Sequence, residues 1–194
     1  MDRETKKFWR QRRNEMLKRD RRERGRFTGG TTITKALLGL LVLGFVVQNF
    51  LPGILVPLSS SSIGLAIDIV LSTIMPGGLL GLLFAGLFVW IIGTPIEAVS
   101  RPWQYLAIFF GSSIGANIVM LRFGGAGSAL AAFGLAGAYV YSMSRINQRG
   151  AAQWALILLG INVVLSGFHV AILAGELTAF IVGLALASLM RIGT

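Results

Sequence analysis

The sequence contains no cysteine and a single histidine among its 194 residues. Without cysteine there is neither a disulfide framework nor a thiolate metal site. Nothing in the chain resembles a nucleotide loop, a metal cluster or a haem site, so we expect no cofactor and no metal. Charge is also scarce: 13% of residues are charged and 54% are hydrophobic, whereas soluble domains carry roughly 25% charged residues. This composition predicts an all-α integral membrane protein.

The charge that is present is concentrated at the N-terminus. The net charge is +10, yet beyond Lys35 the only basic residues are Arg101, Arg122, Arg145, Arg149 and Arg191. Residues 1–34 therefore form a basic arm separate from the apolar body at 35–194. Such an arm is compatible with contact to anionic cytoplasmic lipid, with contact to RNA, or with a tail that only fixes topology. We do not expect nucleic acid as a partner.

The body contains six apolar stretches, and a membrane span needs about 20 mostly apolar residues. The six predicted spans are 36–51, 79–93, 103–121, 127–144, 151–167 and 170–190. The stretch at 63–75 is short, contains Asp68, and is followed by Pro76 and two glycines. We interpret it as an embedded loop or short helix on the outer side.

The remaining arginines predict the orientation. With the arm in the cytoplasm, Arg101, Arg145, Arg149 and Arg191 all fall on the cytoplasmic side, and Arg122 is the exception. This distribution agrees with the positive-inside rule. Both termini are therefore predicted to be cytoplasmic.

The fourth span is crowded with small residues between Gly124 and Ala138. Small residues allow close helix approach in a bilayer. The pairs Gly127/Ala131 and Gly134/Ala138 predict a central span that neighbouring helices contact on several sides. A generic packing helix is the alternative.

Two stretches carry a family resemblance. The first is PGGLLGLLFAGLFVWIIGTPIE at 76–97, continuing into RPWQYLAIFFGSSIGA at 101–116, and the second is FGLAGA at 133–138. Their order and spacing resemble the rhomboid family of intramembrane proteins, which has two glycines, a leucine-rich helix, Gly-x-x-x-Glu and then an aromatic third span. The resemblance covers about half of the chain. It implies a rhomboid-like bundle of six transmembrane helices at 35–194.

Rhomboids are serine proteases with a Ser-His dyad and Asn and His side chains that help to bind the oxyanion. Carried over position by position, these polar groups fall on residues that can neither donate nor accept a proton. The vestigial positions are Pro76, Gly81, Ala85, Ala129 and Ile172. The resemblance therefore implies a scaffold without the chemistry.

One alternative dyad remains. Ser128 lies one position before the expected serine, and His169 lies three residues before the expected histidine. In a helix, three residues correspond to a rise of about 4.5 Å, so His169 lies nearer the outer surface than the family's histidine. A loop at 124–128 could bring Ser128 back into reach.

Three further polar residues lie inside predicted spans: Asn117, Asn162 and Glu176. Ionisable groups within a membrane are expensive and favour a functional hypothesis. One interpretation is that the three line a polar cavity, and the other is that a neutral Glu176 hydrogen-bonds a neighbouring span.

The leading functional prediction is a pseudoprotease that binds the transmembrane helix of another membrane protein through the small-residue surface, or that serves as a subunit of a membrane assembly. One alternative is an active rhomboid protease using Ser128 and His169. The other is a small six-span transporter or substrate-capture subunit.

Overall fold

A computed structural model describes residues 31–51, 62–123, 129–145 and 170–192, together with single helical positions at 150, 153, 157 and 160. Within these residues the chain is helical and contains no strand. The helices, in chain order, are α1 (Thr32–Phe50), α2 (Ser62–Ser72), α3 (Leu79–Val99), α4 (Pro102–Met120), α5 (Ala129–Arg145) and α6 (Val170–Leu189).

Three of these helices are long and apolar enough to cross a membrane, namely α1, α3 and residues Ile172–Leu189 of α6. Their outward faces carry large apolar side chains such as Leu43, Leu83 and Leu177, which are more than half exposed. Side chains of this kind favour a lipid environment over water. The described part of the chain is therefore that of an all-helical membrane protein.

Contacts between helices give their relative directions. Residues 86 and 97 of α3 lie next to residues 38 and 34 of α1, so α1 and α3 are antiparallel. Residues 111, 115 and 175 similarly pair α4 with α6 in opposite directions, through Leu186, Val182 and Met120. In contrast, α5 and α6 are parallel, because Leu130 lies near Gly175 and Gly137 lies near Phe180 and Leu184.

The helix α3 continues through a break in its regular pattern. Residues Val89–Gly93 form a π-helical segment between the α-helical stretches Leu79–Phe88 and Thr94–Val99. Pro95 has no N–H and cannot bond the carbonyl one turn earlier, and the wider π-turn absorbs this defect. The predicted end of the second span at Gly93 was therefore wrong, since the helix extends by one and a half turns to Val99.

The helix α5 is the centre of the bundle. Every described side-chain position from Leu130 to Ala138 is buried, and this helix contacts α3, α4 and α6. The prediction of a central helix surrounded by its neighbours is confirmed. The segment at 63–75, for which a loop or a short helix was expected, contains the short helix α2.

Candidate functional site

The positions where the family resemblance implies chemistry lie on or next to α3, α5 and α6. Pro76 precedes α3 and is buried, Ala85 is fully buried within α3, Ala129 begins α5, and Ile172 lies half-buried in the first turn of α6. None of these residue types carries a proton donor or acceptor in its side chain. The side chains at these positions therefore cannot act as a base, a nucleophile or an oxyanion donor.

Gly81 has a further constraint. The carbonyl oxygen of Pro76 lies so close to Gly81 that a Cβ atom added there would collide with it. The colliding atom belongs to the backbone and cannot move aside as a flexible side chain would. The turn at 76–78, in which Gly77 and Gly78 both have positive φ angles, thus fits glycine at position 81 and excludes a histidine there without a backbone shift.

The alternative dyad, Ser128 and His169, lies outside the described residues, as does Asn162. The serines that are described inside the bundle have other partners. Ser112 Oγ donates to the Ile108 carbonyl at 2.6 Å, and Ser142 Oγ donates to the Ala138 carbonyl at 2.9 Å. Such bonds to the preceding turn satisfy a buried hydroxyl.

Asn117 is fully buried in α4. Its Nδ2 donates to Ser72 Oγ on α2 at 2.8 Å and to Ser113 Oγ at 3.4 Å. Asn117 therefore fastens the short helix α2 to the bundle. Ser72 was not singled out from the sequence, although it is one of a few polar residues in the mostly apolar stretch at 63–75.

Glu176 is buried in α6, with 5% of its surface exposed. It follows Gly175, which packs against Met120 of α4 and Leu130 of α5. Asn117 lies one turn before Met120 on α4, and its side chain bonds Ser72 of α2. That Asn117, Asn162 and Glu176 line one polar cavity stays a prediction.

The strongest polar cluster joins α1, α3 and α4. The Glu97 carboxylate accepts hydrogen bonds from the backbone N–H groups of Ile33 and Thr34, each at 2.8 Å, and from Thr34 Oγ1 at 2.5 Å. The Tyr105 hydroxyl lies 3.2 Å from Thr34 Oγ1. Glu97 therefore caps the N-terminus of α1 from a distant part of the chain, where a negative group also complements the helix dipole.

Glycines bring α5 and α6 into backbone contact and α4 close to α5. A Cβ at Gly183 would collide with the backbone of Gly134, and a Cβ at Gly137 would collide with the Phe180 carbonyl. At Gly134, a Cβ would meet Ser112 of α4. At these glycines the small-residue surface of α5 is thus covered by α4 and α6 of the same chain. The prediction that this surface binds a partner helix stays a prediction.

In the described part of the chain, no group of three or more His, Asp or Glu side chains could hold a metal ion. No family model, curated protein or solved structure matches this chain. The functional argument therefore depends on the helix arrangement and on the residues at each position.

Proposed function

We propose that this chain is a rhomboid-like membrane protein without the protease chemistry, and that it acts by binding the transmembrane helix of another membrane protein. The observation that carries the proposal is the combination of a buried central helix α5 with apolar residues at the positions of the dyad and the oxyanion donors. A scaffold of this kind without catalytic side chains can still bind another transmembrane helix. We infer this role by analogy with the rhomboid fold.

The directions of the helices support a bundle that crosses the membrane six times. Since α5 and α6 are parallel, the end of α5 and the start of α6 lie at opposite ends of the bundle, and the sequence between them is the segment 146–169. That segment exceeds the about 20 residues that one crossing requires. With α1, α3, α4 and α5 alternating in direction, the topology that we propose has six crossings and both termini on the cytoplasmic side.

The absence of cysteine makes this topology directly testable. Single cysteines introduced at Arg101, Arg145 and Arg191 should react with a membrane-impermeant maleimide only from the cytoplasmic side. A cysteine at Arg122 should react only from the opposite side. Labelling of Arg122→Cys and Arg145→Cys from the same side would contradict the proposed order of spans.

The outward face of α3 is the surface we propose for the partner helix. Seven large apolar side chains project from it and are at least one-third exposed: Leu79, Leu80, Leu83, Phe84, Leu87, Trp90 and Ile91. Aromatic residues are enriched where protein contacts contribute most binding energy. A partner helix would therefore find an extended contact surface there, outside the intramolecular glycine interface.

Photo-crosslinking at matched positions tests this surface. Leu83, Leu43 and Leu177 are 59%, 57% and 60% exposed on α3, α1 and α6, so a difference in yield does not reflect exposure. We expect a single-span membrane protein to crosslink at Leu83 and not at the other two. Equal yields at all three positions, or a co-purified small molecule in place of a protein, would contradict helix recognition, and the small molecule would favour the transporter alternative.

A further inference from the structure

A polar cavity of about 470 Å³ lies where α3 and α6 end and α4 begins. Its lining includes Ser100, Arg101 and Gln104 on one side and Met190, Arg191 and Ile192 on the other. These residues immediately follow two of the helices that are long enough to cross a membrane. If those helices span the bilayer, the cavity lies at the level of the lipid headgroups.

Hydrogen bonds at the start of α4 and at the end of α6 hold the residues that line the cavity. Gln104 Oε1 accepts a hydrogen bond from the Arg101 N–H at 2.8 Å, as in a capping box. Gln104 Nε2 donates to the Met190 carbonyl at 3.1 Å and so links α4 to the end of α6. The C-terminus of α6 closes with bonds from the Ile192 N–H to the Ala187 carbonyl and from the Arg191 N–H to the Ser188 carbonyl. This pattern is a Schellman motif.

Arg191 occupies the position of that motif where glycine is favoured. Its φ angle is +50°, and it is the one non-glycine residue with positive φ in the described part of the chain. Such a conformation is unfavourable for a residue with a Cβ atom. Arg191 shares the cavity with a second arginine, Arg101, and backbone strain of this kind is often found at functional sites.

We propose that this cavity binds a phosphate-bearing anion, either the headgroup of an anionic lipid or a soluble phosphate compound. Arginine presents a planar set of donors that matches phosphate oxygens. Basic pockets between helix ends on the cytoplasmic side are a known form of lipid headgroup site. The cavity volume lies within the range of about 300–1,000 Å³ that is usual for small-molecule sites.

Native mass spectrometry of the full chain in a neutral detergent tests the proposal, with phosphatidylglycerol, phosphatidylcholine and inorganic pyrophosphate as separate probes. The basic arm also attracts anions, so binding is measured at about 0.3 M salt, where exposed charges are largely screened. The variants are Arg101→Gln/Arg191→Gln and, as a matched control for lost charge, Arg122→Gln, which lies at the other end of α4.

We expect the double variant to bind phosphatidylglycerol at least about tenfold more weakly, since hydrogen bonds to charged groups are strong, while Arg122→Gln binds like wild type. Loss of pyrophosphate binding alone would assign the site to a soluble phosphate. If neither anion depends on the two arginines, or if Arg122→Gln weakens binding equally, the proposal is wrong.

Arg191→Gly separates binding from folding should the double variant be unstable. Glycine suits the positive φ angle, so we expect the melting temperature in lipid-free detergent to be unchanged or raised while phosphatidylglycerol binding falls. A variant with a lowered melting temperature and unchanged lipid binding would show that Arg191 only supports the end of α6, and would overturn the proposal.

Discussion

Replacing Glu97 by Gln should destabilise the bundle by about 3 kcal/mol. The carboxylate accepts three hydrogen bonds, from the N–H groups of Ile33 and Thr34 and from Thr34 Oγ1. A glutamine has one oxygen and one NH₂ group, so one of the two backbone donors of α1 would face another donor. An unsatisfied buried donor costs about 1–3 kcal/mol, and bonds to a charged group exceed neutral bonds by about 0.5–1.5 kcal/mol.

The sum predicts a loss of about 3 kcal/mol of unfolding free energy for Glu97→Gln, corresponding to a fall in melting temperature of roughly 6–12 °C on the scale of soluble proteins of this size. Intrinsic tryptophan fluorescence during heating in detergent measures it, since the chain has 4 Trp. The matched control, Thr34→Val, keeps both backbone donors and removes the hydroxyl that bonds Glu97 and Tyr105. It should cost about 2 kcal/mol, because each of the two lost hydrogen bonds contributes about 1 kcal/mol. A Glu97→Gln melting temperature within about 2 °C of wild type would refute the proposal that Glu97 caps α1.

Three further changes test other parts of the bundle. Gly183→Ala should lower the unfolding free energy by about 1–3 kcal/mol because its Cβ meets the backbone of Gly134. The control is Gly39→Ala, where nothing lies within 4 Å, and it should be neutral or stabilising. Equal effects of the two variants in denaturant unfolding would contradict the close packing of α5 and α6. Arg191→Gly should raise the unfolding free energy by about 1 kcal/mol, because glycine adopts the positive φ angle at this position without strain. A clear loss of stability would argue against backbone strain at Arg191. Ser72→Ala removes a hydrogen-bond partner of Asn117, so it should lower the unfolding free energy by about 0.6–1.7 kcal/mol and make 62–72 more accessible to protease. Unchanged proteolysis would show that this bond does not hold α2.

Hydropathy located most of the helices because a membrane helix is encoded by a long, uninterrupted run of apolar residues. The predicted span 103–121 differs from α4 by one residue at each end, and 170–190 differs from α6 by one residue at its C-terminal end. The error at Gly93 arose because Gly93, Thr94 and Pro95 together resemble a stop signal. The chain passes through them by widening to a π-turn, in which Gly93 also makes room for the Tyr105 hydroxyl.

The polar contacts were harder to predict because they join residues far apart in sequence. Glu97 was recognised only as part of a Gly-x-x-x-Glu pattern, and nothing in the sequence near Thr34 indicates that its N–H groups are capped by a residue 63 positions away. Likewise, the small residues of α5 predicted close packing but not which helices provide it. The small residues showed that other helices can approach α5 closely, and only the structure shows that these helices are α4 and α6.

The central claim is that the scaffold lacks proteolytic chemistry, and labelling with a serine-directed fluorophosphonate tests it most directly. The purified full chain in lipid vesicles would be compared with Ser128→Ala and His169→Ala, with a cleavable single-span peptide included as a second readout. We predict no labelling above the Ser128→Ala background and no cleavage. Labelling and cleavage by the wild type that disappear in both variants would contradict the account.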